Sequence, residues 1–199
     1  MKVAGTDRQE QILDVAIRRF SHFGVQKTTM TEIADDLGMT KQALAYYFPD
    51  KQSLSSAIEG KITDEYITEL ERSFSQATTT KDALAKLIMV KRKFLEKYYM
   101  LIAQAESGEI IGKKYIADSK KQVQRREVNL LKQVFIKGVA AKELKPLDTD
   151  TTISLFLDTL SAFAYCIRDK GMVPDPNLFE QLSNKQQDVM QIFYNGLKA

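Results

Sequence analysis

Residues 28–54 read TTMTEIADDLGMTKQALAYYFPDKQSL, and the fold follows from this stretch. Thr29 and Glu32 stand three apart, the spacing of a capping box, in which hydroxyl and carboxylate each cover a free N–H at a helix start. Ile33, Ala34 and Leu37 follow on the inward face of a short helix. Gly38 stops it, as a residue able to take a left-handed backbone does. Met39 is an apolar plug in the turn. Thr40 is a good N-cap for a second short helix, running from Lys41 to about Phe48. Leu44 and Phe48, four apart, face inward, so Lys41, Gln42 and Ala45 lie on the opposite side. Pro49 and Asp50 stop that helix and cap the next one, which opens at Lys51. The pattern is two short helices joined at a glycine, a helix-turn-helix.

Upstream, Thr6 and Gln9 have capping-box spacing. Ile12, Ala16, Phe20 and Phe23 make an inward stripe that ends at Gly24. Downstream the helical patterns lengthen. Residues 81–105 carry Leu84, Leu87, Ile88, Leu95, Tyr98 and Ile102 on one stripe. Residues 110–143 read as two helical stretches, the second with Val123, Leu130, Leu131, Val134 and Phe135. Residues 149–168 are apolar nearly all round, the mark of a helix buried on more than one side. A last helix covers about 178–197. Pro and Gly are sparse and no strand alternation persists. The expected fold is all-α with about nine helices. An N-terminal three-helix domain, residues 1–52, carries the helix-turn-helix, and a larger helical domain follows over residues 53–199.

Composition narrows the setting. The 199 residues are 44% hydrophobic and 28% charged, which excludes a collagen-like or largely disordered chain. No apolar run approaches the ~20 residues of a membrane span, so no membrane partner is expected. The N-terminus has no apolar core of signal-peptide length. A lone cysteine, Cys166, cannot form an internal disulfide, which points to a reducing, cytoplasmic setting. Charge alone does not announce a nucleic-acid binder. Residues 1–60 hold seven basic and eight acidic side chains; residues 81–145 hold sixteen and seven.

A DNA-binding reading therefore rests on placed residues. The second helix of such a motif is short, and its N-terminal residues reach base edges in the major groove. Lys41 can donate to guanine O6 and N7 or to a phosphate, and Gln42 can pair with adenine N6 and N7. Ala45, small and exposed, lets the helix sit close to the bases. Thr40 and Ala43 share the same short segment. The phenols of Tyr46 and Tyr47 can reach phosphates. Thr28 and Thr29 lie at the start of the first short helix, where free N–H groups favour a phosphate, and Lys51 repeats that arrangement at the start of the helix after the second. Such phosphate contacts hold register without reading sequence.

Together these residues resemble the DNA-binding signature of the TetR family of bacterial transcriptional regulators. The shared pattern is Thr-Thr, then Ile-Ala, a turn glycine, a Thr-led recognition helix, an aromatic pair before Phe, then Lys and Leu. ILDVAIRRFSHFGV, residues 12–25, is similar to the family's first helix. Gln42, Ala45 and Tyr47 stand where the family often has glycine, tyrosine and histidine. The resemblance implies a homodimer on a roughly palindromic double-stranded DNA operator, most often as a repressor. It implies pairing through the helices at about 149–168 and 178–197. It also implies a small-molecule effector that enters the C-terminal domain and respaces the recognition helices.

Other residues offer less. His22 is the only histidine, and with one cysteine no soft-ligand zinc cluster is possible. A nucleophilic triad would need His22, inside the helix-turn-helix module, so no enzyme activity, cofactor or metal is expected. Met89, Phe94, Tyr98, Phe135 and Phe163 can line an apolar effector pocket or simply form core. Cys166 reads as packing, and Glu106 with Glu109 as a solvated loop. The basic excess at 81–145 reads as a solvated face. The competing functional class is a helical adaptor that carries the helix-turn-helix without using it on DNA.

Overall fold

The first helix, α1 (Ala4–Phe23), forms because Ile12, Ala16 and Phe20 recur at helical spacing and bury one face completely or nearly so. It ends where Gly24 takes φ 90°, its N–H donating to the Phe20 carbonyl at 3.1 Å. The chain is described here by a computed structural model covering residues 4–107, 113–168 and 176–199, with side chains over 7–101, 121–163 and 177–199. The side chains of Thr6, Cys166, Glu106 and Glu109, to which the sequence assigns a cap, packing and a solvated loop, lie outside those residues. The helix itself begins at Ala4, so Thr6 lies within its first turn and does not precede it.

Two short helices follow, α2 (Met30–Asp36) and α3 (Lys41–Tyr47). Seven residues are too few to hold a helix alone in water. Tertiary burial therefore carries them: Ile33 and Ala34 of α2 and Leu44 of α3 are fully buried in one core with Ile12, Ala16, Phe20, Leu54 and Ile58. Each fully buried Ile or Leu contributes about 1.5–3 kcal/mol. Leu37 and Met39 pack against this core from the turn. Phe23, expected inside, is 52% exposed. It is the last residue of α1, and Val25 in the following turn is buried instead.

Phe48 precedes a proline, which disfavours helical backbone, and it adopts φ −137°, ψ 102°. Asp50 then caps α4 (Lys51–Ser75): the Ser53 N–H donates to its Oδ1 at 2.7 Å, and its own N–H donates to Ser53 Oγ at 3.2 Å. Helix α4 passes residues 52 and 53 without a break.

The remaining helices are α5 (Thr80–Ser107), α6 (Lys113–Ala140), α7 (Thr149–Arg168) and α8 (Pro176–Leu197). Eight helices and no strand are present among the described residues, against about nine expected. The difference lies within 110–143, where the single helix Lys113–Ala140 stands in place of two stretches. No proline or glycine interrupts it before Gly138, and its polar positions are filled by good helix formers. Among the described residues no helix is long and apolar enough to cross a membrane.

The chain divides into two compact units, Met1–Asp64 with Tyr98–Asp118, and Glu65–Lys97 with Ser119–Ala199. In the second, Leu84, Leu87, Ile88, Leu131, Phe135, Ile153, Phe156 and Leu160 are essentially buried. Helix α8 is seated on α7 by Gln186, whose Nε2 donates to the Leu160 carbonyl at 2.9 Å. The Phe156 and Phe193 rings lie 5.0 Å apart. Glu143, in the α6–α7 connection, caps the start of α5. Its carboxylate accepts from the N–H groups of Thr80 (2.8 Å) and Lys81 (3.2 Å) and from the Tyr194 hydroxyl (3.0 Å). Partial burial pushes this carboxyl up, but those donors outweigh it and hold the group below its usual range.

Candidate nucleic-acid interface

Thr40 starts the reading helix: its Oγ1 accepts the Ala43 N–H at 3.1 Å, covering one of the orphan donors of α3. Leu44 then fixes rotation, because it is the buried residue of this seven-residue helix. With Leu44 inward, Lys41, Gln42 and Ala43 are exposed and Ala45 is half-buried. Two pairs spaced four apart result, Lys41 with Ala45 and Gln42 with Tyr46. They present an ammonium, a carboxamide and a phenol beside a side chain no larger than a methyl. That set can donate to guanine, pair with adenine and admit close approach of the helix. Tyr46 is 86% exposed. Tyr47 packs partly on the core, and the two rings meet edge to face with centroids 5.4 Å apart.

Helix α2 is held by the expected capping box. The Glu32 N–H donates to Thr29 Oγ1 at 3.2 Å, and the Thr29 N–H donates to Glu32 Oε2 at 2.7 Å. The Thr29 hydroxyl also donates to Glu32 Oε2 at 2.8 Å, so it serves the cap. The same Thr29 donors hold the Glu32 carboxyl below its ordinary value.

Two of the expected contact residues turn inward. Thr28 is 1% exposed, and its hydroxyl donates to the Gly24 carbonyl at 2.8 Å. Its small branched side chain closes the α1–α2 turn and offers nothing to solvent. Lys51 bends back over the same turn. Its Nζ donates to the carbonyl oxygens of Val25 (2.8 Å), Gln26 (3.2 Å) and Thr28 (2.8 Å). An ammonium has three donors, and three acceptors take them here.

Two arginines absent from the sequence-level site brace the motif. The Arg8 guanidinium donates to the Leu37 carbonyl at 3.1 Å, an end carbonyl of α2 that the helix ladder leaves over. Arg19 forks onto Asp36, with Nη2 to Oδ1 at 2.9 Å, and lies 3.5 Å from Glu32. The pair with Arg19 holds the Asp36 carboxyl below its ordinary value. The acidic character of α2 is thus partly neutralised from α1. The signals for these contacts were weak, since an arginine one turn along α1 names no partner until α2 is placed beside it.

The expected effector residues do not form one set. Met89 is 63% exposed on α5, so it is not enclosed among the described residues. It sits one residue beyond the Leu87–Ile88 pair that takes the buried face. Tyr98 is buried and belongs to the first unit; Phe94, Phe135 and the half-buried Phe163 belong to the second. Next to Phe94 lies a polar group that sequence spacing did not reveal. Glu127, 4% exposed, receives the Tyr66 hydroxyl at 2.8 Å and the Lys91 ammonium at 2.6 Å on the same oxygen. The Tyr66 ring meets Phe94 edge-on at 5.3 Å. Burial, then the Glu127 charge, push the Tyr66 phenol well above its ordinary value. Lys91, Arg92, Lys93, Lys97 and Lys132 are all paired with carboxylates. Much of the basic excess at 81–145 is therefore internally compensated.

Residues 12–58 match the family model described as bacterial regulatory proteins, tetR family. The HTH-type transcriptional regulator AcrR of Shigella flexneri is 38% identical over 86 residues, covering 43% of this chain and 39% of that protein. RutR of Escherichia coli O157:H7 is 23% identical over 198 residues, 96% of this chain and 91% of that regulator. Among solved structures, a transcriptional regulator from Cytophaga hutchinsonii superposes with a TM-score of 0.85 at 24% identity, covering 96% of this chain and 99% of the other. The chain thus spans about two fifths of AcrR but nearly the whole of RutR, with the higher identity in the shorter match.

Proposed function

We propose that the chain is a member of the tetR family of bacterial regulatory proteins, whose model its residues 12–58 match, and that it is a homodimeric, effector-responsive, DNA-binding repressor acting in the cytoplasm on a roughly palindromic operator. The observation that carries this reading is the outward surface of α3. Lys41, Gln42, Ala43 and Tyr46 are exposed on a helix whose rotation Leu44 sets, and Thr40, Ala45 and Tyr47 complete the surface. Gln42 is assigned to base reading, Lys41 to a base or phosphate, and the tyrosines to phosphates. The relatives support this reading over the adaptor alternative.

Pairing of two copies through α7 and α8 is supported by Leu155 and Ile192, which are 59% and 72% exposed on those helices. Burying what remains exposed of each side chain in an interface contributes about 1–2 kcal/mol. An effector held among the C-terminal helices is supported by Phe94, whose ring meets Tyr66 beside the buried Glu127 carboxylate; Phe135 and the half-buried Phe163 are the further apolar candidates. No catalytic step is assigned.

Selection of a random duplex library on the purified protein, with its mass in solution measured alongside, tests the reading. The expected result is an enriched inverted repeat bound by a dimer, its half-site centres about 34 Å or a multiple of that apart. A monomer that enriches no duplex refutes it.

A further inference from the structure

We propose that Lys51 serves DNA binding as a positioning residue: its ammonium gathers the carbonyls of the α1–α2 turn and holds the helix-turn-helix in its reading geometry, in place of pairing with a phosphate. This inference rests on the DNA-binding reading above.

The geometry carries it. The carbonyl oxygens of Val25, Gln26 and Thr28 converge on one point, and Lys51 Nζ occupies that point at 2.8, 3.2 and 2.8 Å. Three acceptor dipoles aimed at one spot repel one another, and a cation at their focus turns that repulsion into attraction. A phosphate oxygen could reach this ammonium only by displacing one of the three. The turn is also fixed from inside. Gly24 takes the left-handed backbone, and both the Thr28 hydroxyl and its N–H return to the Gly24 carbonyl, at 2.8 and 3.2 Å. The exit of the turn is Thr29, the N-cap of α2, and α2 leads through Gly38 directly into α3. Arg8 braces the far end of α2 at Leu37. Lys51 therefore secures one end of α2 and Arg8 the other, and the direction of the reading helix depends on both.

Two variants separate this role from a phosphate contact. Lys51→Met removes the donors. Lys51→Arg keeps the charge, and a guanidinium is a good phosphate ligand, but its planar fork cannot aim three donors at one focus. Both are measured against the selected operator over a salt series, well below their unfolding midpoints and with helix content checked by circular dichroism. Both variants should bind at least about tenfold more weakly at every salt concentration, with the slope of log K against log salt unchanged from the parent. The proposal is overturned if Lys51→Met flattens the slope by about 0.9 per lost phosphate contact while Lys51→Arg binds as the parent does. Amide exchange at Thr28 supplies a readout without DNA. Faster exchange in Lys51→Met supports the clamp, and unchanged exchange overturns it. If the parent itself binds no duplex, the DNA reading fails, and the exchange result still decides whether Lys51 holds the turn.

Discussion

Replacing Glu143 by alanine tests how the C-terminal bundle is held together. The carboxylate accepts three hydrogen bonds, from the N–H groups of Thr80 and Lys81 and from the Tyr194 hydroxyl. They differ in worth. Thr80 is 3% exposed, so water cannot take over its N–H, and that bond to a charged acceptor counts for about 1.5–3 kcal/mol. Lys81 is exposed, so its bond counts for about 0.5 kcal/mol, and the buried Tyr194 hydroxyl, a neutral donor, adds about 1 kcal/mol. The loss is about 3 kcal/mol at neutral pH, or about 6–12 °C in midpoint for a chain of this size. The sign of the pH dependence follows from the depressed carboxyl. A carboxyl held below its unfolded value of about 4.3 contributes fully above that value, and the contribution fades as pH falls through the lowered folded value. Thermal unfolding of parent and Glu143→Ala, followed by circular dichroism across the acid range, should show a full gap at pH 7 that closes in acid. Equal midpoints at pH 7, or a gap that stays constant into acid, would refute the reasoning.

On the reading helix, Gln42→Ala should lose about 1–3 kcal/mol per half-site, counted twice in a dimer, and relax one base position in each half of the repeat. Repeating the duplex selection on the variant checks this, and an unchanged consensus rules out the assignment. Leu155→Glu combined with Ile192→Glu should leave a folded monomer at micromolar concentration, read by sedimentation; a persistent dimer places the interface elsewhere. Glu127→Ala strands the Tyr66 hydroxyl and the Lys91 ammonium in a largely buried site and should cost about 3 kcal/mol in urea unfolding. Tyr66→Phe removes one hydrogen bond and should cost only about 1 kcal/mol. Similar losses for the two would mean that the carboxylate is not the centre of the cluster.

The helix-turn-helix was legible because its determinants are local. Thr29 with Glu32, Gly38, Thr40, and Pro49 with Asp50 each act within three or four residues, so spacing states the contact. The same reasoning placed α7 over 149–168 and found Leu44 and Phe48 buried. It divides 110–143, within which Lys113–Ala140 is one helix, because a change in apolar period looks like a break when only pattern is read. It also placed Met89 among buried aromatics, since helical spacing identifies a stripe but not how wide a strip the neighbouring helices cover.

Residue order alone thus determined an all-α chain, the boundaries of the reading helix and the outward placement of Lys41 and Gln42, while Ala45 and Tyr47 are half-buried. Only the tertiary structure decided what the long side chains do. Lys51 finds its carbonyls 23 to 26 positions back, Arg19 finds Asp36 across 17, and Tyr66 finds Glu127 across 61. Caps are written in sequence because a helix turn brings residues three or four apart together by itself. A lysine or arginine chooses its partner only after separate helices have packed, and the burial of Ile12, Ile33, Leu44 and Leu54 in one core is what brings those helices within reach.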